Sequence, residues 1–385
     1  MKKRFVIGIL VLFVLAAFVA CGEASTTKCT DEPGNSCIWA GIGVAGLNDD
    51  ALDKTETRFY WPIDVEFAPD GTPWILDWNN HLIRKVNPDG TVETIVGDFV
   101  GDGPDDVADE RLEPGLPGKT IRLNHPSDMV FGSDGYIYIA AWHNHKLRRL
   151  DPETGLVKLI AGSTPGYGGD DASLEDTHFN QPKSLAFDAE GNMYVLDQRN
   201  QRVRMITSSG EVSTVVGTGE AGFSGDGGSP SRALLNFEAG PNPNPSGALA
   251  MDSNGVLYIA DGLNYRIRRV DFDRNVIETV AGTGTNGFSG DGGLALRAQI
   301  SGVSDLEFGP DGRLYLADTA NNCVRAIDLE TGLISMVWDG KGEGPGLKGR
   351  PRFLNKPWGI AFDNSGHLYI ADTFNSRILR ITLAS

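Results

Sequence analysis

The chain has 385 residues, 40% of them hydrophobic, and a formal net charge of −17 at pH 7. This length is enough to bury the core of one large β domain or of two ordinary domains. The strong negative charge repels phosphate backbones and therefore argues against a nucleic-acid partner.

The N-terminus has the pattern of a secretion signal. A basic MKKR stretch precedes an apolar run from Phe5 to Ala20, which is shorter than the about 20 residues that a membrane-spanning helix needs. The run ends in FVACGE, which resembles the lipobox of bacterial lipoproteins. The resemblance implies a signal peptide over residues 1–20, a lipid on Cys21, and an anchor in the outer membrane, facing either the periplasm or the exterior. Phe18 stands where the lipobox usually has leucine, so ordinary cleavage without lipidation stays open.

Residues 21–36 form a predicted tether between the lipid and the folded domain. Cys29 and Cys37 flank the turn-rich segment CTDEPGNSC, and a disulfide between them is expected in an oxidising compartment. Cys323 lies in a strand-like run and is expected to be buried as a small apolar side chain.

Six similar segments fill the rest of the chain, beginning at residues 61, 125, 181, 244, 301 and 356. Each has an apolar run, a turn that ends in glycine, a strand such as LYIAD at 257–261, a short polar stretch and a third strand. Five copies add a fourth strand, as in SSGEVSTVVG at 208–217. Four short antiparallel strands repeated six times predict an all-β fold, a six-bladed β-propeller.

The repeated phrase resembles the signature of NHL repeats, and the resemblance extends from about residue 37 to the C-terminus. An asparagine three positions after the second strand is present in every copy: Asn80, Asn144, Asn200, Asn264, Asn321 and Asn375. An aspartate ends that strand in five copies, whereas the second copy has Ala141. We expect these Asp and Asn side chains to cap backbone N–H groups in the loop.

The ends of the repeat array predict how the ring closes. The sixth copy stops one strand short, while CIWAGIGVAG at 37–46 matches the fourth strand of other copies. The N-terminal strand, residues 37–41, should therefore pair with the last blade near 376–382. The predicted domain spans 37–385, with blade cores near 61–97, 125–162, 181–217, 244–282, 301–338 and 356–385.

Glycine-rich strings join successive blades, the clearest being GTGEAGFSGDGG at 217–228 and GTGTNGFSGDGG at 282–293. The first contains the G-x-G-x-x-G pattern of a dinucleotide-binding loop. Only a short turn follows it, however, and Asp226 and Asp291 would repel phosphate, which argues against a nucleotide. These aspartates are expected to cap backbone amides; calcium is the alternative, although the D-x-D-x-D-G spacing is missing.

The candidate ligand face surrounds the channel mouth, where the loops between second and third strands emerge. Those loops and the starts of the inner strands contain aromatic and charged residues suited to a peptide, a glycan or a partner protein. The candidates are Asp64, Trp78, Asp128, Trp142, His143, Lys183, Arg199, Tyr265, Trp358 and Phe374. The alternative is that each aromatic side chain only covers a loop.

Three histidines offer the one spacing typical of a metal site. His143 and His145 are two residues apart and would share one face of a strand, and His81 occupies the same repeat position as His145. With Asp64 or Asp128 they could hold zinc or iron, as in the amidating lyases and lactonases that share this build. The leading expectation is nevertheless a cofactor-free binding or scaffold protein of the bacterial envelope, and a metal-dependent lyase or lactonase is the alternative.

Overall fold

The computed structural model confirms the six-bladed β-propeller. It describes residues 29–98, 110–170, 172–240, 244–339 and 353–383. Six antiparallel sheets contain four strands each, or five in two cases. The innermost strands of neighbouring sheets contact one another in a closed cycle around a central channel.

The strands fall into six blades in chain order. The N-terminal strand is β1 (Ser36–Ala40). Blade 1 contains β2 (Pro62–Phe67), β3 (Pro73–Asp77), β4 (Leu82–Val86) and β5 (Val92–Val96). Blade 2 contains β6 (Leu116–Pro117), β7 (Pro126–Phe131), β8 (Ile137–Ala141), β9 (Lys146–Leu150) and β10 (Leu156–Gly162). Blade 3 contains β11 (Pro182–Phe187), β12 (Met193–Asp197), β13 (Arg202–Ile206) and β14 (Val212–Val216).

The second half of the ring repeats the pattern. Blade 4 contains β15 (Ala248–Met251), β16 (Leu257–Asp261), β17 (Arg266–Asp271) and β18 (Val276–Ala281). Blade 5 contains β19 (Gly293–Leu294), β20 (Val303–Phe308), β21 (Leu314–Asp318), β22 (Cys323–Asp328) and β23 (Leu333–Trp338). Blade 6 contains β24 (Pro357–Phe362), β25 (Leu368–Asp372) and β26 (Arg377–Ile381). The short outer strands β6 and β19 were not predicted from the sequence.

Helical elements within the described ranges are three-residue 3-10 turns, and none is long and apolar enough to span a bilayer. Six of them join the second strand of a blade to the third: Trp78–Asn80, Trp142–Asn144, Gln198–Asn200, Gly262–Asn264, Thr319–Asn321 and Thr373–Asn375. The other three precede inner strands: Gly118–Thr120, Pro230–Arg232 and Ala295–Arg297.

The ring closes as predicted, with β1 as the outer strand of blade 6. Antiparallel pairing joins β1 to β26, with Ser36 opposite Ile381 and Cys37 opposite Arg380. A disulfide joins Cys29 to Cys37, with their Cα atoms 5.2 Å apart. The Gly34 amide donates to the Thr382 carbonyl at 2.8 Å, so the described end of the predicted tether packs against this seam.

The hydrophobic core is divided among the blade interfaces. Six clusters of buried apolar side chains each draw on two neighbouring blades. Ile267 of blade 4 and Leu316 of blade 5, for example, belong to the same cluster. Because both faces of most strands are covered by a neighbouring blade, the strands are apolar without clean alternation.

The recurring Asp and Asn of the repeat cap backbone amides and also belong to a buried ion-pair network. In blade 4, Asp261 Oδ1 accepts the Asn236 amide at 2.8 Å, and Asp261 Oδ2 accepts Asn264 Nδ2 at 2.8 Å. The buried Arg268 pairs with the same Asp261 at 3.2 Å. Equivalent Asp–Asn pairs form in blades 1, 3, 5 and 6. The predicted capping of backbone N–H groups is therefore confirmed, although each capped amide lies in the connector before the inner strand and not in the loop itself.

The glycine-rich connectors complete this network. Asp226 reaches Arg268 at 2.8 Å and Asp291 reaches Arg325 at 2.9 Å, so these aspartates neutralise buried guanidinium groups instead of capping a turn. Phe223 covers the Arg266 guanidinium at 3.8 Å. A Cβ on Gly284 would lie 2.1 Å from Arg266 Nη1, and its φ is +82°, which explains the glycine at that position.

Candidate functional site

Four of the predicted face residues belong to one connected cluster of rings at the channel mouth. We define the aromatic cluster as Trp61, Trp78, His125, His143, Trp358 and Phe374. Trp61 stacks between Phe374, with ring centroids 4.7 Å apart, and Trp78, with centroids 6.2 Å apart. Trp358 meets Trp78 edge-on at 5.6 Å. Rings from blades 6, 1 and 2 therefore form a continuous surface on the face that we call the rim.

Trp61 and His125 were missed by the sequence analysis. Each stands directly before the proline that begins an inner strand and has a left-handed backbone, with φ of +57° and +49°. This conformation turns the chain sharply into the strand, and both rings contact Trp78 within the aromatic cluster. The signal was present, because both occupy the same position of the repeat, but a lone aromatic before a proline indicates no site.

A cleft of about 280 Å³ lies beside the aromatic cluster and shares Trp358 and Phe374 with it. Blades 4, 5 and 6 form its walls, mainly through loops and 3-10 turns. We call this the rim cleft; its polar lining residues include Glu238, Asn244, Tyr265, Asn286, Ser301 and Lys356.

Several polar atoms of the rim cleft have no partner among the described residues. No hydrogen bond to another described residue is formed by Tyr265 Oη, by Asn286 Nδ2 or by Lys356 Nζ, although Asn286 Oδ1 accepts the Ser301 hydroxyl at 2.6 Å. The backbones of two of these residues are nevertheless held in place. The Lys356 amide donates to Asn322 Oδ1 at 2.8 Å, and Tyr265 ends a 3-10 turn with φ of +50°. The cleft therefore offers positioned hydrogen-bonding groups to a ligand.

Of two further predicted face residues, Trp142 is buried and does not lie on the ligand face, whereas Arg199 lies at the edge of that face. Trp142 is 1% exposed and donates from Nε1 to Gln198 Oε1 at 3.1 Å. Its ring stacks under His143, with centroids 4.1 Å apart. Trp142 was predicted to contact ligand, but its indole is buried in the interface between blades 2 and 3. Arg199, which is partly exposed, donates to the Ala239 carbonyl at 3.4 Å.

Asp64 and Asp128 face the channel and link its strands, so they do not form part of the rim. Asp64 accepts the Met129 amide at 3.3 Å and Asp128 accepts the Leu185 amide at 2.6 Å. In each case the inner strand of one blade binds the inner strand of the next. Asp305 does the same for Ile360 at 2.8 Å.

The same carboxylates line a channel cavity of about 240 Å³ together with Glu66 and Glu307. The cavity is lined by the second halves of the inner strands and therefore lies toward the face opposite the rim. Burial and the neighbouring negative charges raise the pKa of Asp305 to about 7 and that of Glu307 to about 8. Burial likewise raises the pKa of Asp64 and of Glu66 well above the usual range.

Lys183 is buried and crosses the channel at the rim end. It extends from the start of β11 and donates from Nζ to the Ser304 carbonyl of blade 5 at 3.2 Å. Its positive charge lowers the pKa of Asp64, Asp128 and Asp305 against the effect of burial. Lys183 was predicted to lie on the ligand face, but it is buried and its positive charge offsets the negative charge of the channel acids.

The histidines do not have the arrangement that a strand would give them. His143 lies in a 3-10 turn and His145 follows it with φ of +57°, so the expectation that they share a strand face was wrong. His81 Nδ1 accepts the His125 amide at 3.0 Å, and His145 Nδ1 accepts the Gln181 amide at 3.1 Å. Burial, with His143 and Arg199 nearby, lowers the pKa of His145 to about 4. No cluster of three or more metal-ligating side chains occurs in the described part of the chain.

Fold and repeat together define the class of protein: a six-bladed β-propeller whose residues 354–381 match the NHL repeat model. The chain is 26% identical over 301 residues to Protein SUPPRESSOR OF QUENCHING 1, chloroplastic, of Arabidopsis thaliana, covering 75% of this chain and 27% of that protein. It is 27% identical over 321 residues to NHL repeat-containing protein 2 of Bos taurus, covering 74% of this chain and 42% of that protein. The chain thus spans less than half the length of either relative.

Solved structures share the fold at low sequence identity. A Bacteroides thetaiotaomicron protein of unknown function matches with a TM-score of 0.62 and 17% identity, covering 90% of this chain and 75% of that chain. An auxiliary nutrient binding protein of the same organism matches with a TM-score of 0.60 and 13% identity, with the same coverage. At these identities the similarity establishes the propeller fold alone.

Proposed function

We propose that the protein is a binding protein of the bacterial cell envelope and that its ligand occupies the rim cleft. The observation that carries the proposal is the pairing of exposed ring surfaces, on Trp358 and Phe374, with polar atoms that have no partner in the described structure. Ligand sites combine apolar lining with a few positioned polar groups in this way. The propellers of like fold described as auxiliary nutrient binding proteins are consistent with such a role.

Binding, rather than catalysis, suits the charges of the rim cleft. Glu238 is the carboxylate among its described lining residues, and Glu238 Oε2 already accepts both the amide and Nδ2 of Asn244 at 2.8 and 3.1 Å. The carboxyl groups with strongly raised pKa line the channel cavity instead. Hydrolysis or elimination needs an acid and a base positioned for proton transfer. The described lining of the cleft does not contain such a pair.

Replacing the two rings of the rim cleft tests the binding proposal. We expect Trp358→Ala and Phe374→Ala each to weaken ligand binding at least about tenfold, or about 1.4 kcal/mol, because aromatic anchors contribute much of the energy of such sites. Ligands can be found by the rise in melting temperature of the full chain across a panel of sugars, amino acids and peptides. Phe223→Ala is the matched control, since Phe223 and Phe374 are similarly exposed, at 41% and 42%, and only Phe374 lines the cleft. Equal affinity in all three variants would refute the site.

Anchoring through Cys21 is the second element of the proposal. Cys21 lies outside the described residues; the part of the tether that is described, from Cys29, is fastened to the outer edge of blade 6 by the disulfide with Cys37. A lipid at residue 21 would thus hold the propeller close to a membrane by its N-terminal seam. Attachment by a diacylated cysteine is stable, because two or more acyl chains bind a bilayer far more tightly than one.

Palmitate labelling in a bacterial host tests the anchor. The full chain should incorporate labelled palmitate and partition with membranes, whereas Cys21→Ala should lose essentially all label. Cys323→Ala is the control, because Cys323 is a buried free cysteine and its loss should leave labelling unchanged. An unlabelled parent chain, or a labelled Cys21→Ala variant, would overturn the proposal.

A further inference from the structure

The chemistry of the rim cleft narrows the class of ligand. Its volume of about 280 Å³ lies just below the about 300–1,000 Å³ that ligand pockets usually have. Such a cleft encloses one or two rings of a sugar or a few side-chain groups, while the remainder of a longer ligand stays on the open rim.

Ring surfaces in the cleft are presented from a rigid support. Phe374 is backed on one face by Trp61 at an interplanar angle of 15°, yet remains 42% exposed. Trp358 is held edge-on by Trp78 at an angle of 62°. Supported rings of this kind bind flat, partly apolar groups with little loss of side-chain entropy, and the C–H face of a pyranose is such a group.

The polar atoms beside these rings suit hydroxyl groups. Tyr265 Oη both donates and accepts, Asn286 Nδ2 donates, and Glu238 contributes acceptor oxygens. A sugar hydroxyl also donates and accepts, so it can satisfy several of these groups at once. Lys356 and Glu238 place one charge of each sign in the lining, which favours a ligand without net charge, and the chain's own −17 charge disfavours polyanions.

The architecture argues against an extended peptide. Peptides that bind as strands need an open sheet edge, and helical peptides need a longer apolar groove. The rim cleft is bordered by 3-10 turns and by the starts of inner strands, such as Val303 and Ser304 of β20 with Ser301 just before it. It presents neither a free edge of several residues nor a continuous apolar groove.

We propose that the rim cleft binds an uncharged glycan, with a sugar ring stacked on Phe374 or Trp358 and its hydroxyls bound by Tyr265, Asn286 and Glu238. The proposal rests on the binding function of the same cleft and specifies its ligand. Because the walls come from three blades and the cleft is open to the rim, the bound unit is an end or a short stretch of an oligosaccharide.

An array of neutral oligosaccharides, acidic oligosaccharides and peptides, probed with the full chain in mild detergent, tests this class. At least one family of neutral glycans should bind, and calorimetric titration with a soluble member should show affinity reduced at least about tenfold in Phe374→Ala and Trp358→Ala. Tyr265→Phe should cost about two- to tenfold, the effect of one hydrogen bond. Phe223→Ala should bind as the parent does, and melting curves of each variant show whether it is folded.

The outcomes separate this inference from the function on which it rests. Binding of peptides alone, with the same dependence on Phe374, would overturn the glycan assignment and leave the binding function standing. Neutral glycan binding that is unaffected by Phe374→Ala and Trp358→Ala in folded protein would overturn the assignment to this cleft. Absence of any ligand on the array that depends on these rings would overturn both.

Discussion

We expect Arg268→Met to lower the free energy of unfolding by about 3–5 kcal/mol, the cost of removing one partner from a buried ion pair. The Arg268 side chain has no solvent exposure and binds Asp226 at 2.8 Å, Asp261 at 3.2 Å and the Ser224 carbonyl at 3.1 Å. Methionine fills much of the same volume but leaves the buried Asp261 without its countercharge. The loss comes from that carboxylate, since the apolar stem is retained.

Denaturant unfolding of the parent and variant measures this effect. Arg274→Met is the matched control: Arg274 is 66% exposed and meets Asp271 at 3.9 Å, and such surface pairs contribute about 0–1 kcal/mol. The double variant Asp261→Asn/Arg268→Met should recover part of the loss, because it buries no unpaired charge. If Arg268→Met were as stable as Arg274→Met, the buried network would have no role in holding the blades.

The propeller could be predicted from the sequence because its signals are local and repeated. A turn that ends in Gly255 or Gly312, both with φ near +77°, followed by a strand such as LYIAD, defines a hairpin within a few residues. Repetition then fixes the number of blades, and the missing strand of the sixth copy fixes how β1 closes the ring.

The candidate site was only partly predictable, because it depends on contacts between blades that are distant in sequence. Trp78, Trp358 and Phe374 could be placed on the rim by their repeat position, whereas the burial of Trp142 depends on Gln198 of the next blade. Asp226 and Arg268 form an ion pair although they are 42 residues apart in sequence, and no local sequence pattern predicts that pair. Glu66, Asp305 and Glu307 were missed for the same reason, because each alone is an ordinary polar residue in a strand. Asp64 and Asp128 were singled out from the sequence, but their place in a shared channel cavity was not predicted.

The channel acids should make stability fall as the pH rises toward 8. The pKa of Glu307 is raised to about 8 and that of Asp305 to about 7 in the folded protein, against ordinary values of 4.5 and 3.8. Between the ordinary and the raised pKa the folded state retains a proton that the unfolded state has lost. Stability therefore decreases with rising pH, by up to about 1.4 kcal/mol per pH unit for each such proton.

Glu307→Gln isolates this contribution, because an amide keeps the shape of the carboxyl group and cannot ionise. We expect the variant to match the parent near pH 5 and to be the more stable protein near pH 8, by about 1–3 kcal/mol. Glu220→Gln, at an exposed position, is the control and should leave the pH profile unchanged. The lowered pKa of His145 makes the stability of both proteins rise with pH below about 6.5, and this shared contribution cancels in the difference between the parent and Glu307→Gln. Parallel pH profiles for the parent and Glu307→Gln would mean that Glu307 is already ionised at neutral pH and would contradict the prediction.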